Sequence, residues 1–218
     1  MMYKQNTIQY EYVPEEEYDH LQCIFEQQII PKVRRILSSK EITFQCTLIG
    51  SASRHMVTRR SDMTKGFDLD YNMFLMKCYE DPKDTKLEVM KAFDAVAPSL
   101  GFKHCEDSTT VITLKKVDRA HKRIRYSFDI ALLFDDEDDI YYIHHDKDNE
   151  RYLWSPRGGK LHIDKKVQCI QSFYNANVYD VISDSYLKLK NKEQNSEKRS
   201  FSLCVEAINN EYNHIQQI

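Results

Sequence analysis

The sequence predicts an α/β chain of α+β arrangement: a core of mixed β-sheet flanked by helices, closed by a small C-terminal helical subdomain. Three observations predict it. Apolar residues recur at helical spacing near both ends of the chain, while runs rich in β-branched and aromatic residues fill the middle. A Pro/Gly loop, SPRGG at 155–159, separates that middle from the closing helices. The boundary is therefore placed there, with residues 1–158 as one domain including the N-terminal helix and residues 159–218 as the helical subdomain.

Taken in order, Glu15 to about Ser38 reads as helix, with Leu21, Phe25 and Ile29 on one face and a kink expected at Pro31, which has no N–H to give. This helix is expected to brace both parts of the molecule. ITFQCTLIG at 42–50 reads as a strand ending in glycine, and SASRHMVTRR as a helix capped by Ser51. FDLDYNMFLM at 67–76 is a second strand, because Phe67, Leu69 and Tyr71 alternate with Asp68 and Asp70. Thr85 to Leu100 returns to helical spacing and stops at Gly101. TTVITLKK at 109–116 and RIRYSFDIALLF at 123–134 form a hairpin with a basic tip. The acidic run 135–139 is a solvated turn, IYYIHH and RYLW are one or two edge strands, and helices follow at 164–175, 178–192 and 200–216.

Composition narrows the function classes without choosing among them. With 218 residues, 41% hydrophobic and 30% charged, the chain can bury a core unaided. A net charge of −3 advertises no nucleic-acid partner, although basic stretches at 54–65 and 115–125 can make a local positive face. Six cysteines without a C-x-x-C pair suit reduced thiols, and no apolar run approaches a membrane span, so a cytoplasmic protein with no membrane partner is expected.

The residues that point to chemistry are acidic. Asp68 and Asp70, two apart on a strand, share one face with Cα atoms about 6 to 7 Å apart, so both side chains reach one metal cluster. Magnesium takes hard oxygen ligands and binds through one or two carboxylates plus substrate phosphates. Gly50-Ser51 ends the preceding strand, where glycine permits close backbone approach and a helix N-terminus offers amides to phosphate. Asp129 stands in the otherwise apolar strand YSFDIALLF, where an ionised carboxylate is costly unless a metal or hydrogen bond compensates it.

IGSASRHM followed by KGFDLDYNMFL resembles the signature of the DNA polymerase beta-type nucleotidyltransferase superfamily, and Asp129 matches its third carboxylate. In spacing the chain is nearest to oligoadenylate synthetases, poly(A) polymerases and bacterial nucleotide second-messenger synthases. The resemblance implies a nucleotidyltransferase core, two Mg2+ ions (replaceable by Mn2+) on Asp68, Asp70 and Asp129, and an NTP whose β- and γ-phosphates lie on Gly50 and Ser51. It implies transfer of a nucleoside monophosphate to a hydroxyl-type acceptor, Asp129 serving the ion that activates the hydroxyl, with pyrophosphate released. ATP is the default nucleotide; the acceptor stays open among RNA, a small molecule and a protein. Two other readings stand beside this one: a catalytically silent nucleotide- or RNA-binding module of the same fold, and a toxin- or defence-type enzyme modifying tRNA or protein.

The remaining polar features carry less. His144 and His145, adjacent on a strand, face opposite ways and do not share an ion. His55 is expected on a helix surface, Tyr179 and Tyr186 in core packing rather than over a base, and the basic hairpin lacks an interleaved aromatic platform.

Overall fold

The computed structural model describes residues 9–136, 139–158, 163–193 and 199–218. Glu137 and Asp138 of the acidic run, and Gly159 of the boundary loop, lie outside the described residues. Nine strands are described: β1 (Tyr10–Tyr12), β2 (Thr43–Ile49), β3 (Thr58–Arg60), β4 (Phe67–Lys77), β5 (Glu106–Asp107), β6 (Ile112–Asp118), β7 (Arg123–Asp135), β8 (Ile140–Asp146) and β9 (Arg151–Pro156). Six α-helices accompany them: α1 (Glu15–Ile24), α2 (Ile30–Ser38), α3 (Pro82–Val96), α4 (Asp164–Tyr174), α5 (Val178–Lys192) and α6 (Ser200–Ile215).

The main sheet is seven-stranded and mixed, in the order β2-β4-β7-β6-β5, with β8 pairing the far end of β7 and β9 pairing β8. Among the described strands only β4 and β7 run parallel, and α3 lies between them in the sequence, as a parallel connection requires. The long β7 therefore carries β6 along its first part and β8 along Leu133–Asp135. One sheet face is apolar: Phe67, Leu69, Tyr71 and Phe128 are buried on it, and Phe25 packs there with ring centroids 4.3 Å from Tyr71 and 4.5 Å from Phe128. The opposite face carries the acids.

The N-terminal helix divides as its proline demands. Pro31 has no N–H, and the chain passes through one π turn at Phe25–Ile29 before α2 restarts at Ile30. The wider turn places Phe25 and Ile29, both fully buried, in the core. α3 opens on Asp81, whose side chain accepts from the Asp84 N–H at 2.9 Å, and ends through a 3₁₀ turn at Gly101, where φ is +80°.

A second apolar cluster is built from Ile170, Val178, Ile182, Tyr186, Leu203, Cys204, Ala207 and Ile208 of α4, α5 and α6, joined by Met56. The N-terminal helix packs on the sheet; the link to this cluster runs through β1, which the sequence pattern did not reveal. Tyr10 N–H donates to Asn191 Oδ1 at 2.6 Å, and Tyr12 Oη donates to the Ser183 carbonyl at 2.7 Å. β1 also pairs antiparallel with β3, so three residues tie α5 to the segment following Gly50.

Candidate active site

The register of the sheet assembles the three acids. Asp70 on β4 lies directly opposite Asp129 on the parallel β7, and Asp68 opposite Ser127. Strand alternation puts all four side chains on one face. On the other side of β4, Ile49 pairs with Asp70, so the chain turns at Gly50 beside the acid. Gly50 has φ +74°, and a Cβ there would lie 2.3 Å from Asp70 Oδ2. Only glycine allows this turn to touch that carboxylate.

The three carboxylates share one sheet face, and partial burial and their mutual repulsion favour the protonated form of Asp70. Burial, then the charges of Asp129 and Asp68, push the Asp70 carboxyl up to about 6, with Arg54 opposing. Burial also raises Asp129, against the neighbouring Thr113 hydroxyl, and Asp129 Oδ1 is buried without a hydrogen-bond partner. Ser127 Oγ donates to Asp68 Oδ1. Hard carboxylate oxygens, one of them orphaned, fit a divalent oxygen-seeking ion. Among the described residues no group of three or more His, Cys, Asp or Glu side chains is arranged to hold a metal ion by itself.

The segment after Gly50 corrects the sequence reading. Instead of a helix capped by Ser51, Ala52–Arg54 form a single 3₁₀ turn, the Ser51 side chain makes no cap, and His55 sits in the left-handed region at φ 55°. Met56 belongs to the helical cluster and Val57 to the sheet core, so packing pulls this stretch out of a helix and into β3. Gly50 and Ser51 still face the cleft, but no helix dipole stands behind them. His55, expected on a helix surface, ends this turn with Nδ1 2.7 Å from Glu15 Oε1.

A cleft of about 780 Å³ lies between the acid-bearing face and the C-terminal helices. It is lined by Asp68, Asp70 and Asp129 from the sheet, by Gly50, Ser51 and Arg54 after β2, by Thr110, Val111 and Arg157 from loops, and by Tyr186, Lys190, Ser200 and Phe201 from α5 and α6. Lys190 was not anticipated. Its ammonium donates to Thr58 Oγ1, to Ser200 Oγ at 3.1 Å and to Tyr186 Oη at 3.4 Å, and stands 4.8 Å from the Tyr10 ring centroid. None of these partners is an anion. Burial, then Lys65, depresses Lys190 to about 8, with Asp68 opposing. Lys190 is a partly buried cation among hydroxyls that lines the cavity. Arg54 lies over the Tyr179 and Phe201 rings, 5.4 Å from each centroid. Tyr186 is buried, as its spacing suggests, whereas the half-exposed Phe201 offers a ring to the cleft.

Other sequence candidates are dispersed. Lys115 pairs with Glu106, Lys116 donates to the Leu100 carbonyl at 2.9 Å, and Arg123 donates to the Met63 carbonyl at 2.9 Å, so half of the basic hairpin is committed internally. His145 stacks on Tyr152 at 4.0 Å and lies 3.0 Å from Asp107, which pairs with the buried Lys86 at 2.6 Å. Lys86 also donates to the Ser108 carbonyl at 2.7 Å, anchoring the turn that carries Thr110 and Val111 into the cleft. No described helix is long and apolar enough to cross a membrane.

Solved structures of the Vibrio cholerae dinucleotide cyclase DncV share this architecture. A point mutant in complex with ATP, GTP and a further ligand matches with TM-score 0.56 and 12% identity, over 94% of this chain and 70% of that one. The GTP-bound form matches at 0.52 and 15%, over 91% and 52%, and the cyclic AMP-GMP synthase in complex with nonhydrolyzable GTP at 0.51 and 12%, over 88% and 62%. At such identities the likeness establishes the fold: a mixed sheet flanked by helices in the nucleotidyltransferase arrangement. The chain spans about half the length of the GTP-bound relative. No family model and no curated protein matches the sequence.

Proposed function

We propose that the chain is a metal-dependent nucleotidyltransferase that moves a nucleoside monophosphate from an NTP to a hydroxyl-type acceptor and releases pyrophosphate. The observation that carries this reading is the parallel register that sets Asp129 opposite Asp70, with Asp68 on the same face, in a cleft also lined by Lys190, whose hydrogen-bond partners are hydroxyls. Residues 1–158 are the catalytic domain, and residues 159–218 the helical subdomain that roofs it. The fold's likeness to an enzyme solved with GTP, and to a mutant solved with ATP and GTP, supports an NTP as substrate.

Asp68, Asp70 and Asp129 would hold two Mg2+ or Mn2+ ions, which supply charge neutralisation at the triphosphate and acidify the acceptor hydroxyl. Asp129 would serve the ion that activates the acceptor hydroxyl and take its proton, and its unpartnered buried oxygen supports that role. Gly50 and Ser51 line the wall beside Asp70 and hold the β- and γ-phosphates; Lys190 and Ser200 meet the same anion from the roof. Phe201 provides an exposed ring for the base.

The test is pyrophosphate release from each NTP with Mg2+ or Mn2+, alone and with RNA or protein extract. Wild type should release pyrophosphate and an Asp68→Ala/Asp70→Ala double variant should not. Equal nucleotide or RNA binding by both proteins, with no turnover by either, would favour the silent binding module instead.

A further inference from the structure

We propose that Ser127 is a positioning residue for the metal ligands, its hydroxyl fixing the carboxylate of Asp68 for ion binding. The inference rests on the nucleotidyltransferase reading and adds a residue to it. Ser127 and Asp129 are the polar residues of the stretch YSFDIALLF, and the parallel register sets each opposite one acid of β4. Ser127 faces Asp68 as Asp129 faces Asp70. The serine is 4% exposed, and its hydroxyl donates to Asp68 Oδ1.

Asp68 needs such a partner more than the other two acids do. Asp70 is wedged against the Gly50 turn and Asp129 is half-buried with its Oδ1 inside, so both are more confined by packing. Asp68 is exposed, and its side chain is otherwise free to sample rotamers pointing into solvent. The bond from β7 draws one oxygen across toward the Asp129 strand and leaves the second for an ion. A hydrogen bond to a ligating carboxylate commonly changes metal affinity by about 10- to 100-fold. A bond to an exposed carboxylate does little for stability in the absence of the ion, about 1 kcal/mol or less.

The hydroxyl therefore affects ion affinity far more than folding, which is unusual for a residue so buried in a central strand. Threonine keeps the hydroxyl and suits a strand, whereas alanine removes it without leaving a buried polar group unpaired.

The experiment titrates Mn2+ into the full-length protein without nucleotide, following free Mn2+ by electron paramagnetic resonance, for wild type, Ser127→Ala, Ser127→Thr and Asp68→Asn. Thermal melting in chelator is recorded for each. The expected result is about tenfold weaker Mn2+ binding for Ser127→Ala, near-wild-type binding for Ser127→Thr, and melting temperatures in chelator within about 3 °C of one another. Ser127→Ala binding Mn2+ as wild type does, while Asp68→Asn loses it, overturns the positioning role and leaves the metal site standing. Alanine and threonine weakening binding alike places the effect in packing and also overturns it. Wild type and Asp68→Asn binding Mn2+ equally removes the metal site itself, and this proposal with it.

Discussion

Replacing Asp70 with asparagine should make the ion-free protein more stable while abolishing catalysis. The Asp70 carboxyl is pushed from an ordinary 3.8 up to about 6 by burial and by Asp129 and Asp68. At about 1.4 kcal/mol per pH unit, the ionised side chain destabilises the ion-free fold by about 3 kcal/mol at neutral pH. The sign follows from proton counts: between 3.8 and about 6 the folded state binds more protons than the unfolded chain, so stability falls as pH rises through that window and stays low above it. Asparagine keeps the shape and removes the charge, but its amide must also be desolvated, so a gain of about 2 kcal/mol is expected. For a domain of this length that raises Tm by about 4–8 °C. The assay is thermal melting by circular dichroism in chelator, at about pH 7.5 and again near pH 3.5, where both side chains are largely neutral. The gain should appear at the higher pH and shrink to near zero at the lower. Added Mn2+ should raise the Tm of wild type and not of the variant. A lower Tm for Asp70→Asn at neutral pH, or an equal gain at both pH values, would refute the view that this carboxylate is held in wait for a cation.

Three further predictions follow from single observations. Lys190, depressed to about 8, carries its charge below that pH, so NTP affinity in wild type should fall above about pH 8, by up to tenfold per pH unit; Lys190→Met should bind weakly at pH 7 and show no such fall, as read by equilibrium binding of a nonhydrolysable NTP. Gly50→Ala must strain a residue at φ +74° and displace Asp70 Oδ2, so thermal melting and steady-state kinetics should show a loss of about 1–2 kcal/mol of stability and at least about a hundredfold in kcat. Lys86→Met takes the lysine partner from the half-buried Asp107, which keeps Tyr152 and His145; urea unfolding should show a loss of about 1–3 kcal/mol, much of it recovered in Lys86→Met/Asp107→Asn.

The parts of the site visible in the sequence are those that break a local pattern. Asp129 was conspicuous because an ionisable residue interrupts an apolar strand, and Asp68 with Asp70 because strand alternation puts them on one face. The same logic would have found Lys190: Val178, Ile182 and Tyr186 define the buried stripe of α5, and Lys190 is its next position. Lys86 stands likewise among the buried residues of α3. What local pattern did not reveal was register. That Asp70 faces Asp129, and Asp68 faces Ser127, depends on a parallel pairing between strands more than fifty residues apart. The helix expected after Ser51 failed for a related reason, since Met56 and Val57 are drawn into two different apolar clusters and tertiary packing overrides local spacing there. β1 and β5 are too short to carry an alternation signal, yet one ties α5 to β3 and the other pairs Asp107 with Lys86.

Bond cleavage at the α-phosphorus can be followed with an NTP labelled differently on its α- and γ-phosphates. Incubated with the protein, Mn2+ and candidate acceptors, such an NTP should leave its α-label covalently joined to an acceptor or to a second nucleotide and its γ-label in pyrophosphate, with both outcomes lost in Asp129→Asn. Appearance of the γ-label as orthophosphate or on the acceptor, or label transfer that persists in Asp129→Asn, would contradict the account.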